Sequence, residues 1–554
     1  MSFPQFVLAA SAIVIATMIG TLFVRQRLAA AVIAVAGAMA VTSANAAGYL
    51  RHYSDDAYIT LRYARYFAAG QGPVWNPGER VEGYTDFLWM ALIAGMHRLG
   101  ADLVDASVWL SYASMLAVFV IAWRIWALWA AEEGGALARP AVLAVTLLLI
   151  ALNDSLVFWG FSGLETGMAA ALLTLTVYLF MREARGARVP WSALAATAAA
   201  LTRPEMMLVA AVTGAFTLRD AAERRDAASI RRLALWSAMF VVTYGAYFAW
   251  RYSYYGHVFP NTYYAKVGSG GDFINRGMGY VQAYGLSYLF LPFVMGAAAL
   301  VFAGTKGIRR DAQYVLAVVA AWAFAVIMEG GDAFAHGRFL APVVPVMYVA
   351  GVSGLTVVLA RAIPQPRQLA AAGLLTAMLA GLALSRGSAD PTVPADRHAR
   401  DEREALGRWL HDHVPAGYTV AVYASGAVPY YAQTRALDLL GLTDETIAHS
   451  TVPDFGKGIA GHEKYNIPYT LTVVRPELIM LGDTAPFVMP KTTILQLRGG
   501  LPAYNALIDD PRTFELYEAS AIKYQGRWFN FLQRKDVVGK VAADWTESGG
   551  YVER

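Results

Sequence analysis

Between residues 6 and 385 the chain keeps returning to stretches with few charges and close to the length that crosses a lipid bilayer. A membrane helix needs about 20 mostly apolar residues. By that rule spans are predicted near 6–24, 28–46, 106–130, 140–157, 164–181, 190–202, 205–218, 233–251, 281–303, 312–328, 339–360 and 368–385. The pair at 190–218 is interrupted by Arg203-Pro204-Glu205 and also reads as one broken helix. A composition of 57% hydrophobic and 16% charged residues, with a mean hydropathy of +0.41, is too apolar for a soluble chain of 554 residues. The fold class expected is a multi-span α-helical membrane protein with about 12 transmembrane helices.

Charge gives the orientation. Arg25/Arg27, Arg139, Arg182/Arg185/Arg188, Arg219 to Arg232, Lys306/Arg309/Arg310 and Arg361/Arg367 all fall in alternate loops, hence on one side. Short cytoplasmic loops accumulate such positive charge, so the other loops and both termini are expected on the outer face. A competing reading takes 25–47, with its small-residue run Ser43 to Ala47, as a cleavable signal peptide, although a hydrophobic span precedes its arginines. The net charge of +4 reports this topology and gives no reason to expect nucleic acid. Without cysteine there is no disulfide, thiolate metal site or cysteine nucleophile.

The outer loops carry the polar chemistry. The densest is Ser54 to Trp89, which opens on Asp55-Asp56 ahead of an amphipathic segment ending at Gly70. One aspartate there reads as a helix N-cap. The second then serves as general base, acceptor anchor or ligand to a divalent cation. Lys266, Arg338 and Arg203 stand at outer helix ends, either snorkelling to headgroups or binding a phosphate. The aromatic loop Tyr252 to Lys266 reads as an interfacial belt or a sugar-stacking surface. His257, His336 and His462 have no metal-ligand spacing. The segment 84–100 is expected to lie along the interface, with Trp89 at headgroup level.

After residue 386 the texture changes to a charged helix at 396–412, then strands at 418–423, 435–440 and 476–481. That alternation predicts a small α/β domain. The expected division is therefore a membrane domain over 1–385 and an extracytoplasmic α/β domain over 386–554.

The run DDAYITLRYARYFAAGQGPVWNPGERVEGYTDFLW (55–89) resembles the first outer loop of the mycobacterial terminal β-(1→2)-arabinofuranosyltransferase family and its Gram-negative relatives, some of which modify pilin. Further echoes follow in the same order: FSGLET (161–166), LTRPE (201–205), PNTYYAK (260–266), EGGDAFAHGRFLAPVVP (329–345), DLLGLTDETIAH (438–449) and Gly461-His462. The resemblance implies a GT-C glycosyltransferase in the cytoplasmic (inner) membrane, working at the periplasmic face. Its donor would be a polyprenyl-phosphate sugar such as decaprenyl-phosphate arabinose, and its acceptor a glycan, lipoglycan or pilin.

On that resemblance Asp55 and Asp56 are the catalytic pair, Asp55 as the candidate base and Asp56 as a second base, acceptor anchor or metal ligand, with a divalent cation as an optional cofactor. Lys266, Arg338 and Arg203 hold the donor phosphate. Glu82, Tyr84 and Glu165 shape the sugar pocket, together with His257, Asn261, Tyr264, Asp332 and His336. The chain differs from many GT-C members in placing two spans ahead of the catalytic loop. The alternatives are a transferase for another polyprenyl-phosphate sugar, mannose or aminoarabinose, and a lipid flippase or secondary transporter. The last would place ionisable groups at the bilayer midplane on broken helices.

Overall fold

A computed structural model describes residues 3–24, 26–47, 53–268, 270–288, 290–362, 392–481, 501–524, 527–538 and 551–553. The chain divides into two compact units. One comprises Met1–Arg51, Ser107–Trp250 and Ile274–Asp390; the other comprises His52–Ala106, Arg251–Phe273 and Pro391–Arg554.

Among the described residues, six helices are long and apolar enough to cross a membrane: Arg27–Ala46, Leu103–Glu133, Thr166–Ala184, Ala227–Tyr255, Lys306–Met328 and Ala335–Arg361. They coincide with six of the expected spans. The other expectations meet breaks in the chain. At 140–157 the helix bends by 59° between Pro140–Leu152 and Asp154–Gly160. The bend sits at Asn153, whose side chain accepts from Leu156 N–H and so starts the second helix as its N-cap. The stretch 190–218 is two helices, Ser192–Ala200 and Met206–Arg224, because Pro204 cannot continue the first. The span read at 281–303 is divided between Gly271–Ser287 and Phe290–Ala303. The first span has a shorter apolar helix, Leu8–Phe23. The span at 368–385 lies outside the described residues, as do Arg25 and Arg367.

Ion pairs tie five of the basic loops together within the first unit. Arg185 reaches Glu132 at 2.8 Å and Asp311 at 2.7 Å, Arg232 and Arg310 share Asp220, and Arg361 meets Glu133 at 3.3 Å. Helices Phe290–Ala303 and Val344–Ala362 pack through glycine. A Cβ on Gly354 would stand 1.7 Å from the Gly296 carbonyl oxygen, so only hydrogen fits at that crossing.

The second unit contains a six-stranded sheet: β1 (Thr419–Val422), β2 (Arg435–Asp438), β3 (Leu478–Leu481), β4 (Tyr517–Tyr524), β5 (Arg527–Arg534) and β6 (Tyr551–Glu553), in the order β2-β1-β3-β5-β4-β6. β1 is parallel to β2 and β3, whereas β3, β5, β4 and β6 pair antiparallel. Side chains alternate across a strand. Thus Leu478 and Met480 enter a core with Trp409 and Phe531, while Ile479 and Leu481 enter another with Leu507 and Leu532. Burial on both faces explains the uninterrupted apolar run of β3. The charged helix lies at Thr392–His413, as expected.

This unit takes in more than the stretch after 386. The helix Asp55–Ala68 and the segment Arg251–Phe273 belong to it through buried hydrogen bonds. The segment read as interfacial is the helix Phe87–Arg98, and its Trp89 is only 1% exposed, so it is a core residue rather than a headgroup anchor.

Candidate functional site

In the second unit, Ser54 occupies the N-cap of the helix Asp55–Ala68 in an extended conformation, and its side chain makes no capping bond. Neither aspartate caps its own helix; both are the first helical residues. Asp55 instead binds another helix terminus. Its Oδ2 accepts from Gly426 N–H and its Oδ1 from Ala427 N–H, each at 3.0 Å, where β1 turns into the helix Ala427–Ala432. Arg403 stands 3.7 Å from Oδ1. A Cβ on Gly426 would approach the Asp55 carbonyl oxygen to 1.9 Å, so only glycine admits this contact. Asp56 is half-buried beside it.

Arg62, about two turns further along the same helix, is 1% exposed. Its Nε donates to Trp75 O at 2.9 Å, and Nη2 donates to Thr434 O at 2.8 Å and Asn76 Oδ1 at 3.2 Å; Nη1 donates to Pro429 O. Burial without a carboxylate partner pushes this guanidinium down to about 10. Arg65 donates to Tyr430 O at 2.8 Å and lies 4.0 Å from that ring.

The expected pocket residues of this unit follow. Glu82 is buried and paired with Arg251, whose Nε donates at 2.9 Å; burial pushes the Glu82 carboxyl above its ordinary range. Tyr84 is buried, its hydroxyl 3.1 Å from that of Tyr255. Asn261 donates to Gly441 O at 2.8 Å and Leu442 O at 3.0 Å, and its own N–H donates to Glu82 O at 2.9 Å. His257 Nε2 lies 2.9 Å from Glu445 Oε1, and the Tyr264 ring lies 4.3 Å from that of His449. The motifs at 81–85, 260–266 and 438–449 therefore meet in one place. Lys266 is half-buried and has no hydrogen bond or ion pair among the described residues.

In the first unit, Arg203 is clamped between two carboxylates. Nη1 donates to Glu165 Oε1 at 2.8 Å; Nη2 and Nε donate to Glu205 at 2.6 and 3.3 Å. Glu329 neighbours Glu205. Burial and the Glu205 charge hold the Glu329 carboxyl well above its usual range. Arg338 donates to Asp332 at 2.8 Å, and its guanidinium faces the rings of Trp159, Phe334 and Phe339. His336 is stacked on Phe158, with Nδ1 3.6 Å from Asp154 Oδ2, and holds a left-handed φ of 60° that is costly for a residue with a Cβ. Glu205 and Glu329 stand in the runs LTRPE and EGGDAFAHGRFLAPVVP, but the sequence assigns neither a site role. The two expected phosphate-binding arginines each come with an acid, so an incoming phosphate would share them with Glu165, Glu205 and Asp332. Among the described residues no three His, Asp or Glu are grouped to hold a metal ion.

Over 92% of this chain the structure matches the crystal structure of ArnT from Cupriavidus metallidurans bound to undecaprenyl phosphate, covering 98% of that chain with a TM-score of 0.53 at 14% identity. It also matches AglB from Archaeoglobus fulgidus, an archaeal oligosaccharyltransferase in complex with an inhibitory peptide and a dolichol-phosphate (TM-score 0.50, 11% identity, 92% of this chain and 74% of that one). The chain has the GT-C fold. Within that fold its sequence is similar to the terminal β-(1→2)-arabinofuranosyltransferase of Mycobacterium tuberculosis, 29% identical over 328 residues, or 52% of this chain and 50% of that protein. The Corynebacterium glutamicum protein of the same name is 28% identical over 337 residues, 53% of this chain and 47% of that one. The chain thus spans about half the length of the curated relatives it matches. A domain of unknown function, DUF8728, matches residues 394–534, which hold β1 to β5.

Proposed function

We propose that this protein transfers a glycosyl unit, D-arabinofuranose, from a polyprenyl-phosphate donor to a glycan or glycoprotein acceptor at the outer face of the cytoplasmic membrane. The observation that carries the reading is a double likeness. The fold is shared with two proteins solved with a polyprenyl phosphate, and the sequence is similar to arabinofuranosyltransferases.

Polyprenyl phosphate is a good leaving group, so the reaction needs little acid assistance. The acceptor hydroxyl oxygen bonds to the anomeric carbon, and the bond from that carbon to the phosphate oxygen breaks with its electron pair. The hydroxyl proton passes to a carboxylate. Both Asp55 oxygens accept backbone N–H bonds, which favours Asp55 as the brace of the loop and Asp56 as the base. Lys266 offers fixed positive charge to the departing phosphate. The outer-face assignment is supported by the basic loops that pair within the first unit.

The test incubates purified protein with polyprenyl-phosphoryl arabinofuranose and an arabinan oligosaccharide, then measures released polyprenyl phosphate and extended acceptor. Parallel donors carrying mannose or aminoarabinose decide the sugar. A transport reading is favoured by one observation, the buried Arg203 cluster at a broken helix pair. Cysteine accessibility at 203–205 in this cysteine-free chain separates the two, since transport needs a midplane position.

A further inference from the structure

The segment Phe455 to Lys464 reads FGKGIAGHEK and joins no strand. It is nevertheless tightly built. Glu463, buried, accepts from Gly456 N–H at 2.8 Å and Gly458 N–H at 2.7 Å, folding the loop around one carboxylate. Phe455 packs edge-on against Phe273 at 5.3 Å and carries the Lys464 ammonium 4.4 Å from its ring. Gly461 takes a φ of +77°, a conformation that favours glycine. Its missing Cβ faces Lys266: one built there would lie 3.2 Å from Cε and 3.5 Å from Cδ and Cγ. The lysine stem therefore runs close along Gly461, and a Cβ there would press it aside by a few tenths of an ångström.

The cations in this loop are already engaged. Lys457 pairs with Asp454 at 2.8 Å, and Lys464 donates to Ser450 O. Lys266 is the contrast, since its stem is packed and its ammonium has no acid among the described residues. A packed stem loses little further rotamer freedom when the head binds an anion.

We propose that the Phe455–Lys464 loop, through Gly461, is a positioning element that holds Lys266 extended to receive the phosphate of the polyprenyl-phosphate donor. This rests on the proposed function and adds to it the residue that aligns the phosphate-binding cation.

The experiment measures undecaprenyl phosphate binding to purified full-length protein by tryptophan fluorescence, with thermal unfolding of each variant as a check on folding. Lys266→Met is expected to weaken binding by about 10-fold or more, the worth of one charge-assisted contact. Lys266→Arg is expected to recover part of it. Gly461→Ala is expected to weaken binding several-fold, and the double variant to bind no worse than Lys266→Met alone, because both act through one ammonium. If Gly461→Ala does not fold, Glu463→Gln, which loosens the loop from its other end, replaces it in the same cycle. Wild-type affinity in the folded loop variant, or losses that multiply in the double variant, overturns the inference while leaving the transferase reading intact. No binding by the wild-type protein overturns both.

Discussion

Replacing Asp55 by alanine tests whether this carboxylate is a structural brace as well as a member of the acidic pair. The side chain is 15% exposed and accepts two backbone N–H bonds at 3.0 Å. Hydrogen bonds to a charged group contribute about 1.5–3 kcal/mol each, and solvent access places these near the lower end. Asp55→Ala should therefore destabilise the protein by about 3 kcal/mol. The second unit spans about 240 residues; if it melts cooperatively, that loss lowers its midpoint by roughly 6 °C. Asp55→Asn keeps one acceptor oxygen and turns its NH2 towards a donor, so it should fall between. The assay is thermal unfolding in detergent followed by tryptophan fluorescence, with limited proteolysis of the 424–432 segment alongside. A midpoint within 2 °C of wild type for Asp55→Ala would refute the brace.

Two further outcomes are expected. Arg62→Lys puts a single ammonium where a planar fork met four acceptors, stranding two or more of them for a loss of about 2–4 kcal/mol in chemical denaturation; a change below about 0.5 kcal/mol contradicts the description of Arg62. Asp444 caps the helix Glu445–Ala448, and burial pushes its carboxyl up to about 6, above the unfolded value near 3.9. The stability tied to its protonated form is full below pH 4 and lost as the pH rises through 6. Asp444→Asn keeps the acceptor for Ile447 N–H without the charge, so it should match wild type at pH 4 and gain about 2 kcal/mol at pH 8. Parallel pH profiles for the two proteins would rule this out.

What the sequence made legible was whatever depends on nearby residues. Six spans follow from hydropathy, and β1, β2 and β3 from short apolar runs bounded by turns. The β4–β5 hairpin shows no clean alternation in the sequence, because Asn530, Phe531, Leu532 and Gln533 of β5 are buried in succession and polar residues lie inside with the apolar ones. One aspartate of the Asp55-Asp56 pair reads as a cap of its own helix, yet Ser54 takes that position and the backbone that Asp55 binds lies 371 residues away. Arg62 on an amphipathic helix looks solvated until the carbonyls of Trp75, Pro429 and Thr434 close over it. The Glu205–Glu329 pair joins two loops more than a hundred residues apart, and no spacing signals it. Of the acids that meet Arg203 and Arg338, Glu205 and Asp332 stand two and six residues away in the same runs, and only Glu165 is brought in from another segment by the fold.

The most direct test of the proposed chemistry is release of polyprenyl phosphate from polyprenyl-phosphoryl arabinofuranose by purified protein in the presence of an arabinan acceptor, compared with Asp56→Asn of equal thermal stability. The expected result is acceptor-dependent release by the wild type and a loss of about 100-fold or more in the variant, the contribution of a positioned base. Release by Asp56→Asn at the wild-type rate, or none from the wild type with any polyprenyl-phosphate sugar, would contradict it.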